Sequence, residues 1–233
     1  EINMTEKEMR EEINGKGTHA PDVWYYTHNY RLSEKFISDF KDKVDWMFIS
    51  TIYTLTESFI EKFEDYVDWF SISLYQKLSE SFIRKHKDQL NWEAIFSHQK
   101  LSESFLREFQ HMIGFNWVFK SQNLSEDFIR EFKDRNINWY FISEYQKLSE
   151  SFIREFKDKV DWYRISRYQN LSKKFILEFE DKINLYGLIC NKHNWFNYSY
   201  KTGTNANIDE FLNTDINYDK LSKLVTGLIV NDL

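Results

Sequence analysis

Apolar and polar positions along this chain fall into a pattern that repeats. Leu32, Leu55, Leu78, Leu101, Leu124, Leu148 and Leu171 each open a near-copy of one motif, at a spacing of 23 residues and once of 24. Inside a copy the apolar positions are spaced for two short helices. Leu78 stands before Ser79 and five residues before Ile83, the N′ to N4 spacing of a hydrophobic staple around a Ser cap. A second start of the same design follows. Val160, Asp161 and Ile165 place an apolar residue, a carboxylate cap suited to the helix dipole, and an apolar N4 in succession. Val44/Asp45/Ile49, Val67/Asp68/Ile72, Leu90/Asn91/Ile95 and Ile137/Asn138/Ile142 do likewise. In the third copy this predicts a helix A from about Glu80 to Gln89 and a helix B over about Trp92 to His98.

Helices this short do not persist alone, so each must bury a face against its neighbours. Helix A carries Phe36, Phe59, Phe82, Phe105, Phe128, Phe152 and Phe175, each followed four residues on by another Phe except where His86 stands. The i, i+4 pair marks that buried face. Helix B opens on Trp46, Trp69, Trp92, Trp117, Trp139 and Trp162, with Leu185 in the last copy. That Leu replaces Trp at one end favours packing between repeats over a row of stacking platforms for single-stranded nucleic acid. A fixed period of this length with two helices in each unit predicts an all-α solenoid of about seven stacked hairpins.

Irregularities and ends divide the chain further. In the fourth copy Gly114 and Phe115 read as two residues added before Asn116-Trp117, with helix B shortened to compensate. The fifth copy gains one residue near Asn136, expected in the loop between its helices. Residues 1–31 read as a cap, with a Thr5/Glu8 capping box ahead of a charged helix and then Asp22-Val-Trp24 as an isolated helix B, a half-repeat. The array occupies 32–193. In 194–233, Lys201–Asn207 reads as a loop and Leu221, Leu224, Val225, Leu228 and Ile229 as the apolar stripe of a capping helix.

Composition narrows the class. One proline and six glycines in 233 residues leave little room for linkers, and 18% aromatics argues for an ordered chain despite its many charges. A net charge of -6 disfavours nucleic acid as a generic ligand, since phosphate binding draws on excess Lys and Arg. With Cys190 as the single cysteine no internal disulfide forms, and no apolar stretch nears the ~20 residues of a membrane span, so a cytoplasmic protein without membrane contact is expected.

Chemistry of the enzymatic kind is not expected. The carboxylates recur with the repeat, as in Glu80, Glu103, Glu126 and Glu150 beside the helix A cap, which points to capping and solvation. Cys190 and His193 are only two of the ligands a metal needs. His86 reads as a satisfied core imidazole. No glycine-rich phosphate loop occurs, and no catalytic, cofactor or metal residue is assigned.

Positions that stay constant serve the fold, so a partner should be read by those that vary while exposed. These follow the helix B Trp: Met47-Phe48, Phe70, Val118-Phe119, Tyr140-Phe141 and Tyr163-Arg164. Aromatics with an Arg are the residues that dominate protein-interface hot spots. The expected partner is another protein or a ribonucleoprotein. The alternative, an RNA-binding helical repeat protein, draws on the small positive charge of the third, sixth and seventh copies.

The motif Leu-Ser-Glu-x-Phe-Ile-Arg-Glu-Phe, followed by Val-Asp-Trp and Ile-Ser-x-Tyr-Gln, resembles short tandem repeats of uncharacterised proteins from large DNA viruses and phages, over about residues 22–193. The resemblance carries no settled activity and no site residue. It implies a viral or phage accessory protein, for which inhibiting or adapting a host or defence factor in the host cytosol is a natural role.

Overall fold

A computed structural model describes residues 4–15, 22–112 and 114–191, and within them the chain is an all-α array of stacked helical hairpins. Sixteen helices alternate between A and B types among the described residues. The A helices are α1 (Glu6–Asn14), α3 (Glu34–Asp39), α5 (Glu57–Lys62), α7 (Glu80–Lys85), α9 (Glu103–Glu108), α11 (Glu126–Phe132), α13 (Glu150–Glu155) and α15 (Lys173–Glu178). The B helices are α2 (Val23–Asn29), α4 (Trp46–Ile52), α6 (Trp69–Tyr75), α8 (Trp92–His98), α10 (Phe115–Ser121), α12 (Trp139–Tyr145), α14 (Trp162–Tyr168) and α16 (Leu185–Ile189). Two compact units divide between Ile113 and Gly114, so that α1–α9 belong to the first and α10–α16 to the second. The sequence reading of residues 194–233 and of His193 falls outside the described residues.

Local chemistry sets the helix starts. Every helix except α10 opens on a Ser, Thr, Asp or Asn whose side chain accepts a backbone N–H of the first turn. Helix α10 opens on Gly114 with no side-chain bond.

Successive hairpins are joined by side chains that recur once per period, and each joins a hairpin to its neighbour. The indole that opens α4, α6, α8, α12 and α14 lies on the aromatic pair of the next A helix, two Phe except at α7, where His86 is the second ring. Trp46 meets Phe59 and Phe63 at ring-centroid distances of 6.1 and 5.0 Å, and Trp162 meets Phe175 and Phe179 at 6.3 and 5.1 Å. A buried glutamine then binds backbone. Gln76 Nε2 donates to the Ser50 and Tyr53 carbonyls at 2.8 and 2.7 Å, and its Oε1 accepts the Leu55 N–H at 2.9 Å. In the second unit Gln146 and Gln169 repeat the arrangement. These amides satisfy carbonyls at the end of one B helix and the N–H that leads into the following A helix, groups that burial would otherwise leave orphaned. A serine near the middle of helix B, Ser50, Ser73, Ser143 or Ser166, accepts the cap N–H of the next B helix at 2.9 to 3.0 Å. Finally the Glu at the first position of an A helix accepts from the cap of the next, as Glu34 does from the Thr56 N–H at 2.6 Å and its hydroxyl at 3.0 Å, and Glu57, Glu80, Glu126 and Glu150 do likewise. The recurring carboxylates thus do more than cap and solvate their own helix.

The same contacts revise the N-terminal reading. Glu6 accepts from the Ser33 N–H and, at 2.8 Å, from its hydroxyl, while Tyr53 reaches the Thr27 and Tyr30 carbonyls at 2.8 and 2.6 Å in the role of the later glutamines. Helices α1 and α2 therefore make a complete hairpin, not a helix followed by a half-repeat. Its longer A-to-B connection hid the period.

Copy four also changes register. Phe115, fourteen residues after Leu101, stands where Trp46 stands fourteen after Leu32, and α10 runs seven residues like the other full B helices. No two-residue addition and no shortening occur; the tryptophan moved, not the helix. Copy five absorbs its additional residue partly in α11, one residue longer than the neighbouring A helices, and partly in a tight turn where Ile137 N–H donates to Arg135 O at 2.7 Å. At the last hairpin Gly187 lets α16 approach α14, because a Cβ there would lie 2.9 Å from the Tyr163 carbonyl oxygen.

Candidate functional site on the B helices

The A and B helices present different chemistry to solvent. Outward A-helix side chains form ion pairs between neighbouring hairpins: Arg10 with Asp39 at 2.7 Å, Lys85 with Glu61 at 2.9 Å, Arg84 with Glu108 at 2.8 Å, Arg130 with Glu155 at 2.8 Å and Arg154 with Glu178 at 2.7 Å. Several of these guanidinium groups also lie over the next hairpin's Phe, Arg84 at 4.9 Å from the Phe105 centroid and Arg154 at 4.8 Å from that of Phe175. Arg154 holds the Glu178 carboxyl below its ordinary range, and Lys85 does the same for Glu61. The face is charged, paired and solvated.

The B helices of the first unit are the opposite. Across α2, α4 and α6 there is no Asp, Glu, Lys or Arg. Their second positions place Trp24, Met47 and Phe70 in solvent at 53%, 65% and 56% exposure, and their last positions add Ile52 and Tyr75 in α4 and α6. Phe48, half-buried, stacks on His28 with centroids 3.8 Å apart. Adjacent B helices bring these side chains into one row, since α4 packs on α6 and His28 ties α2 to α4.

In the second unit the same face carries tyrosines around an arginine. Arg164, half-buried in α14, lies 4.1 Å from the Tyr140 ring centroid and 5.1 Å from that of Tyr163, and donates to the Tyr140 hydroxyl. Its Nη1 lies 3.2 Å from Glu144 Oε2, a close ion pair whose geometry is not that of a hydrogen bond. Burial works against the Arg164 charge, but Glu144 and the tyrosines outweigh it and hold the guanidinium above its ordinary range. Arg167 donates to the Tyr163 hydroxyl at 2.8 Å. Tyr140 and Tyr145 are exposed, and Phe141 is half-buried against both.

Val118 and Phe119 depart from the expectation of an exposed stripe. Both are fully buried, because the register of α10 puts them at the positions of Ile49 and Ser50 in α4. The outward pair of this copy is instead Asn116-Trp117, with the Trp117 ring exposed. Counting a constant fourteen residues from the repeat Leu, instead of anchoring on the indole, would have found it. His86 is a core imidazole as expected, buried, stacked on Trp69 and tilted against Phe82, with its Nε2 3.5 Å from Glu61 and without a hydrogen bond. Among the described residues no group of three or more His, Cys, Asp or Glu side chains is placed to hold a metal, and no helix is long and apolar enough to cross a membrane.

The architecture is that of a repetitive helical scaffold. Neither a protein-family model, a curated protein nor a solved structure matches the chain.

Proposed function

We propose that this chain is a non-enzymatic protein-binding scaffold that grips a macromolecular partner along its B-helix face. The observation that carries the reading is the run of three consecutive B helices, α2, α4 and α6, that hold no charged residue and expose Trp24, Met47, Phe70, Ile52 and Tyr75. Exposed apolar side chains in a row, on a molecule whose other face is laced with ion pairs, are costly to leave in water and typical of an interface. Glu34, Glu80 and Glu150 hold the next hairpin's cap, a structural task that suits a scaffold. The repeat motif further supports a viral or phage accessory protein acting on a host or defence factor in the host cytosol, with a ribonucleoprotein among the candidate partners.

Affinity capture from an extract of the native host, with the captured proteins identified by mass spectrometry, tests the reading. Changing Met47, Phe70 and Tyr75 together to Ala, or Tyr140, Phe141 and Tyr163 together to Ala, is expected to weaken binding of that partner at least tenfold, about 1.4 kcal/mol, with the helical circular dichroism unchanged. Undiminished binding by both folded variants moves the site off the B helices.

A further inference from the structure

In the regular hairpins the Trp that opens helix B spends its one polar group on its own hairpin. Trp46, Trp69, Trp92 and Trp162 donate the indole N–H to the carbonyl five residues back, at 2.8, 3.1, 3.0 and 2.9 Å, the acceptors being Lys41, Glu64, Lys87 and Lys157. The additional residue of copy five breaks this pattern. The carbonyl equivalent by position is Lys133 O, now six residues before Trp139, and it accepts the Lys159 ammonium at 3.4 Å instead. Among the described residues the Trp139 indole N–H has no acceptor.

Trp139 lines an open cleft of about 570 Å³ in the second unit, shared with Asn116, Asn136, Tyr140, Lys159 and Asp161. The side-chain amides of Asn116 and Asn136 are exposed and make no hydrogen bond among the described residues. Both come from the irregular copies: Asn116 is the small outward residue that the register of α10 supplies in place of an aromatic, and Asn136 lies in the turn where copy five takes up its additional residue. Two exposed carboxamides and two aromatic residues, Trp139 with its unpaired indole N–H among them, therefore line one volume, of the size that holds a few residues of a ligand.

We propose that this cleft receives an extended segment of polypeptide through its main-chain amides. The inference rests on the protein-binding reading above and deepens it. Lys159 and Asp161, of opposite charge, both line the cleft, so it has no net pull on a phosphate or a carboxylate. A carboxamide offers one donor and one acceptor in a plane, the complement of a peptide group, and two of them with an indole donor suit successive peptide units. Tyr140 belongs both to the cleft and to the exposed B-helix face, so a polypeptide lying on that face runs into it.

The test is a titration of the protein, labelled with nitrogen-15, with N-acetyl-tetraglycine amide, which presents main-chain amides and nothing else. The Trp139 indole resonance, assigned with Trp139→Phe, is expected to move and saturate, while methyl glucoside and acetate leave it in place. Changing the exposed Asn116 and Asn136 together to Ala is expected to weaken the response at least tenfold. A resonance that does not move with the glycine peptide, one that moves as far with glucoside or acetate, or a full response from the double variant overturns the proposal. No cellular partner enters this titration. A flat response removes the cleft and leaves the B-helix reading standing, whereas a responding cleft with undiminished partner capture by both alanine triples does the reverse.

Discussion

At the scale of single residues, the stability of the array rests on a few polar groups placed where no water reaches. Gln76 is the clearest, buried with both ends of its amide on backbone of the preceding turn. Gln76→Ala orphans two carbonyls and one N–H at once and is expected to cost about 2 to 4 kcal/mol. By comparison, Asp161→Ala removes one cap bond, to the Arg164 N–H, and is expected to cost about 1 kcal/mol. Urea denaturation of the two variants side by side checks the order; equal losses would mean that the glutamine bonds contribute little. Acid should act through the carboxylates. Burial pushes the Glu80 carboxyl up, but the hydroxyl and N–H of Ser102 together with Arg84 outweigh it and hold it below its ordinary value of 4.5. A depressed folded value means the stabilisation is complete above the unfolded value and is lost as the pH falls through the folded one. The urea midpoint is therefore expected to fall as the pH drops below about 4.5, and less steeply in Glu80→Gln.

At the scale of elements, the sequence shows its helices well because their starts are local. The cap and the staple lie within six residues of each other, and Ser79 or Asp161 marks a boundary that the folded chain keeps. The links between hairpins were harder to see. Nothing local to Gln76 or Ser50 says which carbonyl or N–H they meet some twenty residues away, although a glutamine two residues before the leucine in copies three to seven is a visible signal. The exposed part of the candidate face was legible for the same reason. The exposure of Met47, Phe70 and Tyr140 follows from the period, whereas Val118 and Phe119 are buried because in copy four the Trp, Trp117, stands two residues past the start of helix B. Trp139 and its cleft were hidden, since an insertion in a turn looks harmless until a hydrogen bond is seen to be missing. Deleting Asn136 restores the regular spacing, and the Trp139 indole is then expected to regain the Lys133 carbonyl and to exchange its proton with solvent more slowly. An exchange rate equal to that of the wild type would place the cause of the unpaired indole elsewhere than in the insertion.

At the scale of the whole molecule, the α1/α2 hairpin differs from the others on the side away from α3 and α4. Among the described residues its cap Thr5 is bonded from within its own helix, by Glu8, 2.7 Å from both the Thr5 N–H and its hydroxyl. Glu8 and Glu12 occupy the positions at which later A helices carry the Phe pair that receives an indole, so the outer side of α1 offers a preceding hairpin nothing to stack on. Glu8→Phe with Glu12→Phe is expected to turn that side into an acceptor and to produce association that grows with concentration, read by analytical ultracentrifugation. A variant that stays at the wild-type sedimentation coefficient over the same range would show that the polar side is not what prevents it. Elsewhere every coupling described, indole to Phe pair, Gln to carbonyl, Ser to cap N–H and Glu to cap, spans one period and no more. A stretch of the gene encoding one period can therefore be duplicated or excised in a single recombination event and leave a protein in which every junction is of a kind already in use, so that the array can change length by whole hairpins without a new kind of contact.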